Sequence, residues 1–379
     1  MRIAFISLYQ AYPSISGAAS VTFNCARLTP GTTLLVQLAE LASTEDVDNL
    51  RIVSIPYDAS SRFKKLLSMP STIRSIRKEL SQFTPDFVVL EGASWAAYLL
   101  LIVLALKRNL KHLKLIYHAH NVEYLLRLER GNRLVAYITR LAERRILSNC
   151  LKCFAVSEED RARFAQLYGI QPGLLPNGVD CDAMEPDPHD IEDARHKYGM
   201  TDESILFTGL YGYPPNAEAV HFLIEQVIPQ LHQLRPNLRV IITGGGPLTH
   251  ESWLINTGIV SRRELNAILH ACRIGLAPIF KGSGTRLKIL EYMAAGLPVV
   301  TTRKGAEGLN LENGKQTIFA ETPKEFKDAV LRILSDQVLS EQLSSHAISL
   351  VRANFNWKLL LSHFSDQLEA LHNAHPSDV

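Results

Sequence analysis

Short apolar runs recur along this 379-residue chain and alternate with segments of helical spacing. In the first half, the predicted strands are Ile3–Ile6, Ile52–Ile55, Phe87–Leu90, Leu115–His118 and Phe154–Val156. In the second half, they are Ile205–Thr208, Arg239–Thr243, Ile274–Ile279, Pro298–Thr302 and Gln316–Phe319. Strands that alternate with helices form parallel sheets covered on both faces. The pattern therefore predicts an α/β protein with a Rossmann-like domain in each half.

The chain from Arg273 to Thr302 predicts a strand, a glycine loop, a helix and a second strand. A helix start exposes unpaired N–H groups and partial positive charge, so this loop favours phosphate, with Arg286 and Lys288 beside it. Glu291 lies about 9 Å further along the helix axis, which is close to the reach from a diphosphate to its ribose. The alternative is a surface helix on which Lys288 and Glu291 form an ordinary ion pair.

The segment GSGTRLKILEYMAAGLPVV, residues 282–300, resembles the donor-binding signature of the retaining GT-B glycosyltransferases, the glycosyl transferases group 1 (family 4). Other matching segments are HNVE at 120–123, PNGVD at 176–180, Pro-Pro-Asn at 214–216 and GAEGL at 305–309. The resemblance extends along nearly the whole chain. It implies the GT-B fold, in which two Rossmann-like domains with parallel sheets face each other across a cleft.

The resemblance also implies a division of the chain. Residues 1–178 are expected to form the acceptor-side domain, and residues 179–352 the nucleotide-sugar-binding domain. A C-terminal helix within residues 353–379 is expected to cross back to the first domain. The turn at Asn177 and Gly178 marks the passage between the domains.

The family's common motif has two glutamates eight positions apart, and Glu291 matches the second, which meets the ribose hydroxyls in the family. The first position is occupied by Ser283, so the identity of the donor sugar stays open. Family members often carry Arg and Lys after the strand equivalent to Ile205–Thr208, but this chain has no basic residue there. Arg286 and Lys288 are therefore the candidates for the diphosphate. The full set of candidate donor-binding residues is Gly17, Ser283, Gly284, Thr285, Arg286, Leu287, Lys288 and Glu291.

His118 and His120 lie at the carboxyl end of a predicted strand, where open α/β sheets bind ligands. They would point to the same side, so a metal pair is one interpretation, although no third ligand is evident. The resemblance instead places His120 opposite the donor sugar in the interdomain cleft, as the catalytic residue. Gly17 follows the first strand in a loop that lacks GxGxxG. The resemblance brings this loop close to the donor phosphates, and a plain tight turn is the competing interpretation.

The first half of the chain is basic, with 22 Lys and Arg against 14 Asp and Glu in residues 1–178. This excess predicts peripheral contact with a membrane surface or an anionic lipid-linked substrate, or else a solvated helix face. Phe63–Leu80 is basic and amphipathic, so it is either an interfacial helix or an ordinary surface helix. The apolar run Trp95–Leu106 is shorter than the roughly 20 residues that span a bilayer, and we expect a buried helix there. No nucleic-acid recognition motif accompanies the charge.

The five cysteines are scattered, which favours a reducing cytoplasm, with any membrane contact at its inner face. Cys150 and Cys153 form a CxxC without a second pair, so a buried strand residue is favoured over a metal or redox site.

The predicted function is transfer of a sugar from a UDP-, GDP- or dTDP-linked donor to a glycan or lipid-linked acceptor. The resemblance implies that the anomeric configuration is retained and that neither a cofactor nor a metal is needed. One alternative is a nucleotide-sugar epimerase of the same fold. The other is an inactive nucleotide-binding protein, suggested by Ser283 and by the missing basic pair near Gly209.

Overall fold

The structure is a computed structural model that describes residues 1–14, 16–58, 62–92, 94–129, 131–247, 251–281 and 286–373. The chain divides into two compact units. The first unit is Met1–Asn177 together with the chain from Trp357 onward, and the second unit is Gly178–Asn356. The sequence prediction had placed these divisions after residues 178 and 352.

The first unit is built around an eight-stranded sheet. Its strands are β1 (Arg2–Ser7), β2 (Thr32–Ala39), β3 (Ser43–Val47), β4 (Leu50–Pro56), β5 (Phe87–Glu91), β6 (Lys114–Ala119), β7 (Lys152–Ala155) and β8 (Gly173–Leu174). The helices in the first part of this unit are α1 (Gly17–Leu28), α2 (Arg62–Leu67), α3 (Met69–Phe83), α4 (Ala96–Asn109), α5 (Glu123–Glu129), α6 (Arg133–Leu147) and α7 (Glu158–Tyr168). The strand order is β3-β4-β2-β1-β5-β6-β7-β8, and only β3 and β4 pair antiparallel.

The second unit has a six-stranded, fully parallel sheet. Its strands are β9 (Ser204–Thr208), β10 (Arg239–Thr243), β11 (Leu254–Gly258), β12 (Ile274–Ala277), β13 (Val299–Thr301) and β14 (Ile318–Phe319). Its helices are α8 (Pro188–Tyr198), α9 (Pro214–Phe222), α10 (Ile228–Leu234), α11 (Arg262–Ala271), α12 (Leu287–Ala294), α13 (Pro323–Ser335) and α14 (Gln337–Asn354). A π-helical turn, Leu223–Val227, joins α9 to α10, and the strand order is β11-β10-β9-β12-β13-β14.

The last helix, α15 (Trp357–Asn373), belongs to the first unit. It packs on α1 and buries Leu361, Phe364 and Leu368. The ring of Phe364 meets Phe154 of β7 edge-on, with ring centroids 4.9 Å apart. The first unit is thus completed by the end of the chain, because α15 covers one face of its sheet.

The basic amphipathic segment is divided at Ser68 into α2 and α3. The apolar side of α3 is buried, with Met69, Thr72, Ile76 and Leu80 facing the core. This helix is therefore an ordinary surface helix of the first unit, and its apolar side is not available for a membrane.

The apolar run after Trp95 forms α4, which buries Leu99, Ile102 and Val103. Leu101 and Leu104 on its other side are 44% and 38% exposed, so the prediction of a buried helix holds for one face only. Within the part of the chain that the structure describes, no helix is both long and apolar enough to cross a membrane.

Candidate functional site

In the second unit, Tyr292 fixes α12 against the sheet. Its ring lies on β12 at Gly275, where a Cβ atom would come within 2.4 Å of the ring. Its hydroxyl accepts hydrogen bonds from the Thr208 backbone N–H at 2.7 Å and from the Thr208 hydroxyl at 3.2 Å. The start of α12 is thereby held at the carboxyl ends of the central strands β9 and β12, where ligands of open parallel sheets bind.

The predicted phosphate loop, with Ser283, Gly284 and Thr285, lies outside the described residues. Arg286 is the residue before α12, and its Nη2 donates a hydrogen bond to the carbonyl of Lys281 at 3.2 Å. Leu287 is the first residue of the helix and is partly buried.

Lys288 extends over the turn that follows β9. Its Nζ donates a hydrogen bond to Oδ1 of Asn216 at 2.9 Å, and it lies 3.9 Å from the centre of the Phe207 ring. A Cβ atom on Gly209 would be 2.8 Å from this Nζ. The turn after β9 has no basic residue of its own, and α12 supplies a cation to it from 79 positions further along the chain.

The turns after β9 and β10 contact each other through glycine. The φ angle of Gly209 is +143° and that of Gly244 is +88°, in the region that favours glycine. A Cβ atom on Gly244 would lie 2.5 Å from the carbonyl oxygen of Gly209. The glycines therefore allow two backbones to meet beneath the Lys288 ammonium.

Lys288 is held in an unusual charge environment. Burial, together with the nearby Arg286 charge, lowers its pKa to about 7 against the opposing effect of Glu291. Near neutral pH this ammonium is therefore only partly protonated, and an anion placed beside it would favour the charged form.

Glu291 pairs with Arg262, whereas the surface-helix alternative paired it with Lys288. Its Oε1 accepts a hydrogen bond from Arg262 of α11, and its side chain is 19% exposed. The charge of Glu291 raises the pKa of Arg262. The alternative in which Glu291 is an ordinary partner of Lys288 is wrong, because Lys288 is directed to Asn216.

In the first unit, two histidines share one carboxylate at the carboxyl end of the sheet. Nε2 of His120 lies 2.6 Å from Oε2 of Glu91, and Nδ1 of His118 lies 3.1 Å from the same oxygen. Glu91 ends β5 and is 1% exposed, while the His120 side chain is 11% exposed. The sequence analysis missed Glu91, although its position directly after the apolar run Phe87–Leu90 was a usable signal.

Hydroxyl groups extend this network to α1. Thr22 donates to Oε2 of Glu91 at 3.3 Å, and the Tyr9 hydroxyl lies 2.9 Å from the Thr22 hydroxyl. The Tyr9 hydroxyl is also 3.4 Å from Nδ1 of His120 and 3.4 Å from the carbonyl of Ala18. Gly17, the exposed first residue of α1, precedes Ala18. The predicted glycine loop and His120 thus lie at the same end of this sheet.

Buried Gln37 at the end of β2 holds the loop that carries Tyr9. Its Oε1 accepts from the backbone N–H groups of Ala11 and Tyr12 at 2.8 Å each, and its Nε2 donates to the Tyr12 carbonyl and to Ser54. All four of its hydrogen-bonding positions are used. The loop conformation is therefore set by the protein before any ligand binds.

The charge of this network centres on Glu91. Burial alone would raise the pKa of Glu91, but interactions with His118 and His120 outweigh burial and lower it to about 2. Burial lowers the pKa of His120 against the opposing effect of Glu91, so the ring is neutral near pH 7. Because Nε2 then donates to Glu91, Nδ1 carries the lone pair that can accept a hydrogen bond.

In the structure, further candidate metal ligands lie near the histidine pair. Ligand atoms of Cys25, Glu91 and His118 lie within 4.8 Å of one another. Burial raises the pKa of the Cys25 thiol well above its usual value, which disfavours the thiolate that binds metals. Both imidazoles already contact the carboxylate, and a hydrogen-bonded network describes the cluster better than a metal centre.

Cys153 of the CxxC is a buried residue of β7, and its thiol is free.

Two family models match the chain, one on each unit. The model described as Glycosyltransferase Family 4 matches residues 19–183, and the model described as Glycosyl transferases group 1 matches residues 202–336. Together these matches cover well over half of the chain, and the chain belongs to the group 1 glycosyltransferases.

Curated relatives include two GDP-mannose-dependent alpha-(1-6)-phosphatidylinositol monomannoside mannosyltransferases. The one from Mycolicibacterium smegmatis is 28% identical over 197 residues, which is 47% of this chain and 51% of the relative. The one from Mycobacterium tuberculosis is 26% identical over 239 residues, which is 56% of this chain and 60% of the relative. The matched stretch therefore spans less than two thirds of these relatives.

Solved structures share the fold over nearly their whole length. Sucrose-phosphate synthase from Thermosynechococcus elongatus superposes with a TM-score of 0.79 at 14% identity, covering 99% of this chain and 100% of the other. Anabaena HepE in complex with UDP and glucose superposes with a TM-score of 0.76 at 17% identity, covering 98% and 100%. The fold is that of the GT-B glycosyltransferases.

Proposed function

We propose that this protein transfers a sugar from a nucleotide-sugar donor to a glycan or lipid-linked acceptor, with retention of the anomeric configuration. The observation that carries the proposal is the Lys288 ammonium, held by Asn216 above the glycine turns after β9 and β10. A phosphate there meets a cation and closely approaching backbone, with Arg286 at the start of the same helix. Family membership and the mannosyltransferase relatives support the same reading.

In this proposal the second unit binds the nucleotide. Arg286 and Lys288 hold the diphosphate and stabilise the negative charge that grows on it as the sugar leaves. Glu291 accepts the ribose hydroxyls while its Oε1 is oriented by Arg262. A carboxylate that is already positioned loses less side-chain freedom when the ribose binds.

The first unit contributes His120. The neutral imidazole uses Nε2 on Glu91, so Nδ1 is the atom that would accept a sugar hydroxyl and position the anomeric carbon. The leaving phosphate itself would assist the attacking hydroxyl of the acceptor. The proposed reaction needs no metal and no cofactor, because the cationic side chains of Arg286 and Lys288 would stabilise the charge of the leaving diphosphate.

A donor screen tests the proposal most directly. UDP-, GDP- and dTDP-sugars are compared by thermal shift, with GDP-mannose first because curated relatives are named for it. A ligand at 100 times its dissociation constant should stabilise the protein by about 2.7 kcal/mol. Transfer is then assayed with and without an acceptor. Turnover of the donor into an epimer without acceptor would support the epimerase, and binding without any turnover would support an inactive binding protein.

A lipid-linked acceptor would place the protein at a membrane. The basic excess of the first 178 residues supports peripheral contact at the inner, cytoplasmic face. Such contact should weaken with salt, because exposed charges are screened within about 8 Å at physiological ionic strength.

A further inference from the structure

Helix α6 of the first unit exposes the large apolar side chains of residues 134–141. The exposed members of this face are Leu134 (70%), Tyr137 (58%), Ile138 (47%) and Leu141 (51%). Its inward positions are the small or polar residues Ala136, Thr139, Ala142 and Glu143, and its last turn alone buries large apolar side chains, those of Ile146 and Leu147. An ordinary surface helix has the opposite arrangement, with large apolar residues toward the core. An exposed patch of this kind marks a binding surface.

The orientation of α6 is fixed by a buried carboxylate. Glu143 is fully buried and accepts hydrogen bonds from the backbone N–H groups of Glu123 and Tyr124 at 3.2 and 3.4 Å. The Tyr168 hydroxyl of α7 donates to the same group at 2.5 Å. Rotating α6 to bury Leu134 and Ile138 would break these contacts and leave polar groups unsatisfied. The apolar residues are therefore held outward by the rest of the unit.

A row of cations flanks the apolar row. Leu134, Ile138 and Leu141 follow one another at helical spacing, and Arg133, Arg140 and Arg144 follow the neighbouring row. Glu143 is the one acidic residue of α6, and it is buried, so the outward surface of this helix carries arginine without a carboxylate. The helices that pack on α6 also expose leucines, namely Leu128 of α5 and Leu101 and Leu104 of α4.

We propose that the outward face of α6 binds the surface of an anionic lipid bilayer. Its leucine, isoleucine and tyrosine side chains enter the boundary between headgroups and acyl chains, and its arginines contact anionic headgroups. This inference rests on the proposed function in that a lipid-linked acceptor requires the protein at a membrane. A second copy of the chain fits less well, because a two-fold interface would bring the arginine rows of both copies together without acidic partners on this helix.

Vesicle sedimentation of the full-length chain tests the surface. Vesicles of phosphatidylcholine alone are compared with equimolar phosphatidylcholine and phosphatidylglycerol, at low and high salt. The triple variant Leu134→Gln, Ile138→Gln, Leu141→Gln should bind the anionic vesicles at least about tenfold more weakly than wild type. The control Leu41→Gln, Ile259→Gln, Val338→Gln removes three apolar side chains elsewhere that are 80%, 76% and 64% exposed, and it should bind like wild type.

A charge variant separates the contribution of the arginines from that of the apolar side chains. Arg133→Gln, Arg140→Gln, Arg144→Gln should lose the preference for anionic vesicles and the salt dependence. Thermal unfolding and nucleoside diphosphate affinity, both read without vesicles, check that each variant is folded. Unchanged vesicle binding by the folded apolar variant would overturn the proposal, as would a wild type that ignores anionic vesicles.

Light scattering tests whether the outward face of α6 binds a second copy of the chain instead of a membrane. A wild-type dimer that becomes a monomer in the apolar variant would assign the face to a second copy and overturn the membrane proposal. A wild type that binds anionic vesicles as expected but transfers no sugar from any donor would overturn the proposed function and leave the surface in place.

Discussion

The two units use the carboxyl ends of their sheets in different ways. In the first unit, a buried carboxylate, Glu91, gathers two imidazoles and a threonine hydroxyl into one hydrogen-bonded network. In the second unit, the cation of Lys288 lies over turns in which glycines let two backbones meet. One end presents neutral and acceptor groups, and the other presents positive charge.

The carboxyl ends of the two sheets suit different steps of a sugar transfer. A neutral ring oriented by a carboxylate can position a hydroxyl but attracts no anion, because the ring carries no charge and the adjacent carboxylate is negative. The amine of Lys288, whose pKa is lowered to about 7, is only partly charged in the free protein. A bound anion stabilises its protonated form and so raises this pKa. We therefore assign sugar positioning to the first unit and phosphate binding to the second.

The largest effect is expected at His120. Replacing His120→Ala should lower the transfer rate by about 10² or more, since positioning a reacting group contributes on this scale. Nucleoside diphosphate affinity should stay near wild type, because the residues proposed to bind the phosphates belong to the other unit. Steady-state transfer assays and calorimetry measure the two quantities. Equal turnover in the variant would remove His120 from the mechanism, and lost nucleotide affinity would break the assignment.

The next effect concerns the two cations at the start of α12, Arg286 and Lys288. Arg286→Ala and Lys288→Ala each remove a charge-assisted contact worth roughly 1.5 to 3 kcal/mol, so nucleoside diphosphate affinity should fall about ten- to a hundredfold. Calorimetry on the folded variants measures this change. Lys281→Ala is a matched control, because Lys281 pairs with Glu218 on the surface and should change affinity little. Unchanged affinity in both α12 variants would remove the phosphate site.

The strands differ in how far the sequence could predict them. Strands β1, β5 and β12 were predicted because they are apolar, whereas β3 is polar and exposed and gave no such signal. The run Thr32–Ala39, which forms β2, did carry an apolar signal that the prediction overlooked. Local patterns therefore recover the buried strands and miss the exposed edge.

The site was less predictable than the fold because its contacts are long-range. Glu91 and His118 are 27 positions apart, and Lys288 and Asn216 are 72 positions apart. No spacing rule joins such residues before the sheet order is known, since β5 meets β6 and β9 meets β12 only in the folded chain. The resemblance supplied His120 and Glu291, but the partners that orient them, Glu91 and Arg262, required the structure.

A smaller effect is expected at Glu291. Glu291→Gln should weaken nucleotide binding several-fold, because an amide must turn its N–H₂ end toward either Arg262 or one ribose hydroxyl. Deoxyribose analogues should bind the variant with little further penalty. The measurement is the ratio of affinities for ribo and 2′,3′-dideoxy nucleotides. If wild type binds both forms equally, Glu291 serves Arg262 and not the ribose.

The smallest effect is a pH dependence that belongs to the second unit alone. The pKa of Lys288 in the free protein is lowered to about 7 by burial and by Arg286, with Glu291 opposing. A bound diphosphate favours the ammonium and raises this pKa, so above pH 7 binding must be accompanied by proton uptake. Affinity should consequently fall severalfold as pH rises from about 7 to 8, within the limit of tenfold per pH unit set by one proton.

Calorimetry in buffers of different ionisation enthalpy measures the proton uptake directly. Lys288→Arg keeps a positive charge at every pH used, so its affinity should be nearly independent of pH in this window. His120→Ala should retain the wild-type pH dependence, because His120 belongs to the first unit and is already neutral near pH 7. If the dependence instead disappears in His120→Ala and persists in Lys288→Arg, the titrating group lies in the first unit, and the division of sugar and phosphate between the two sheets is wrong.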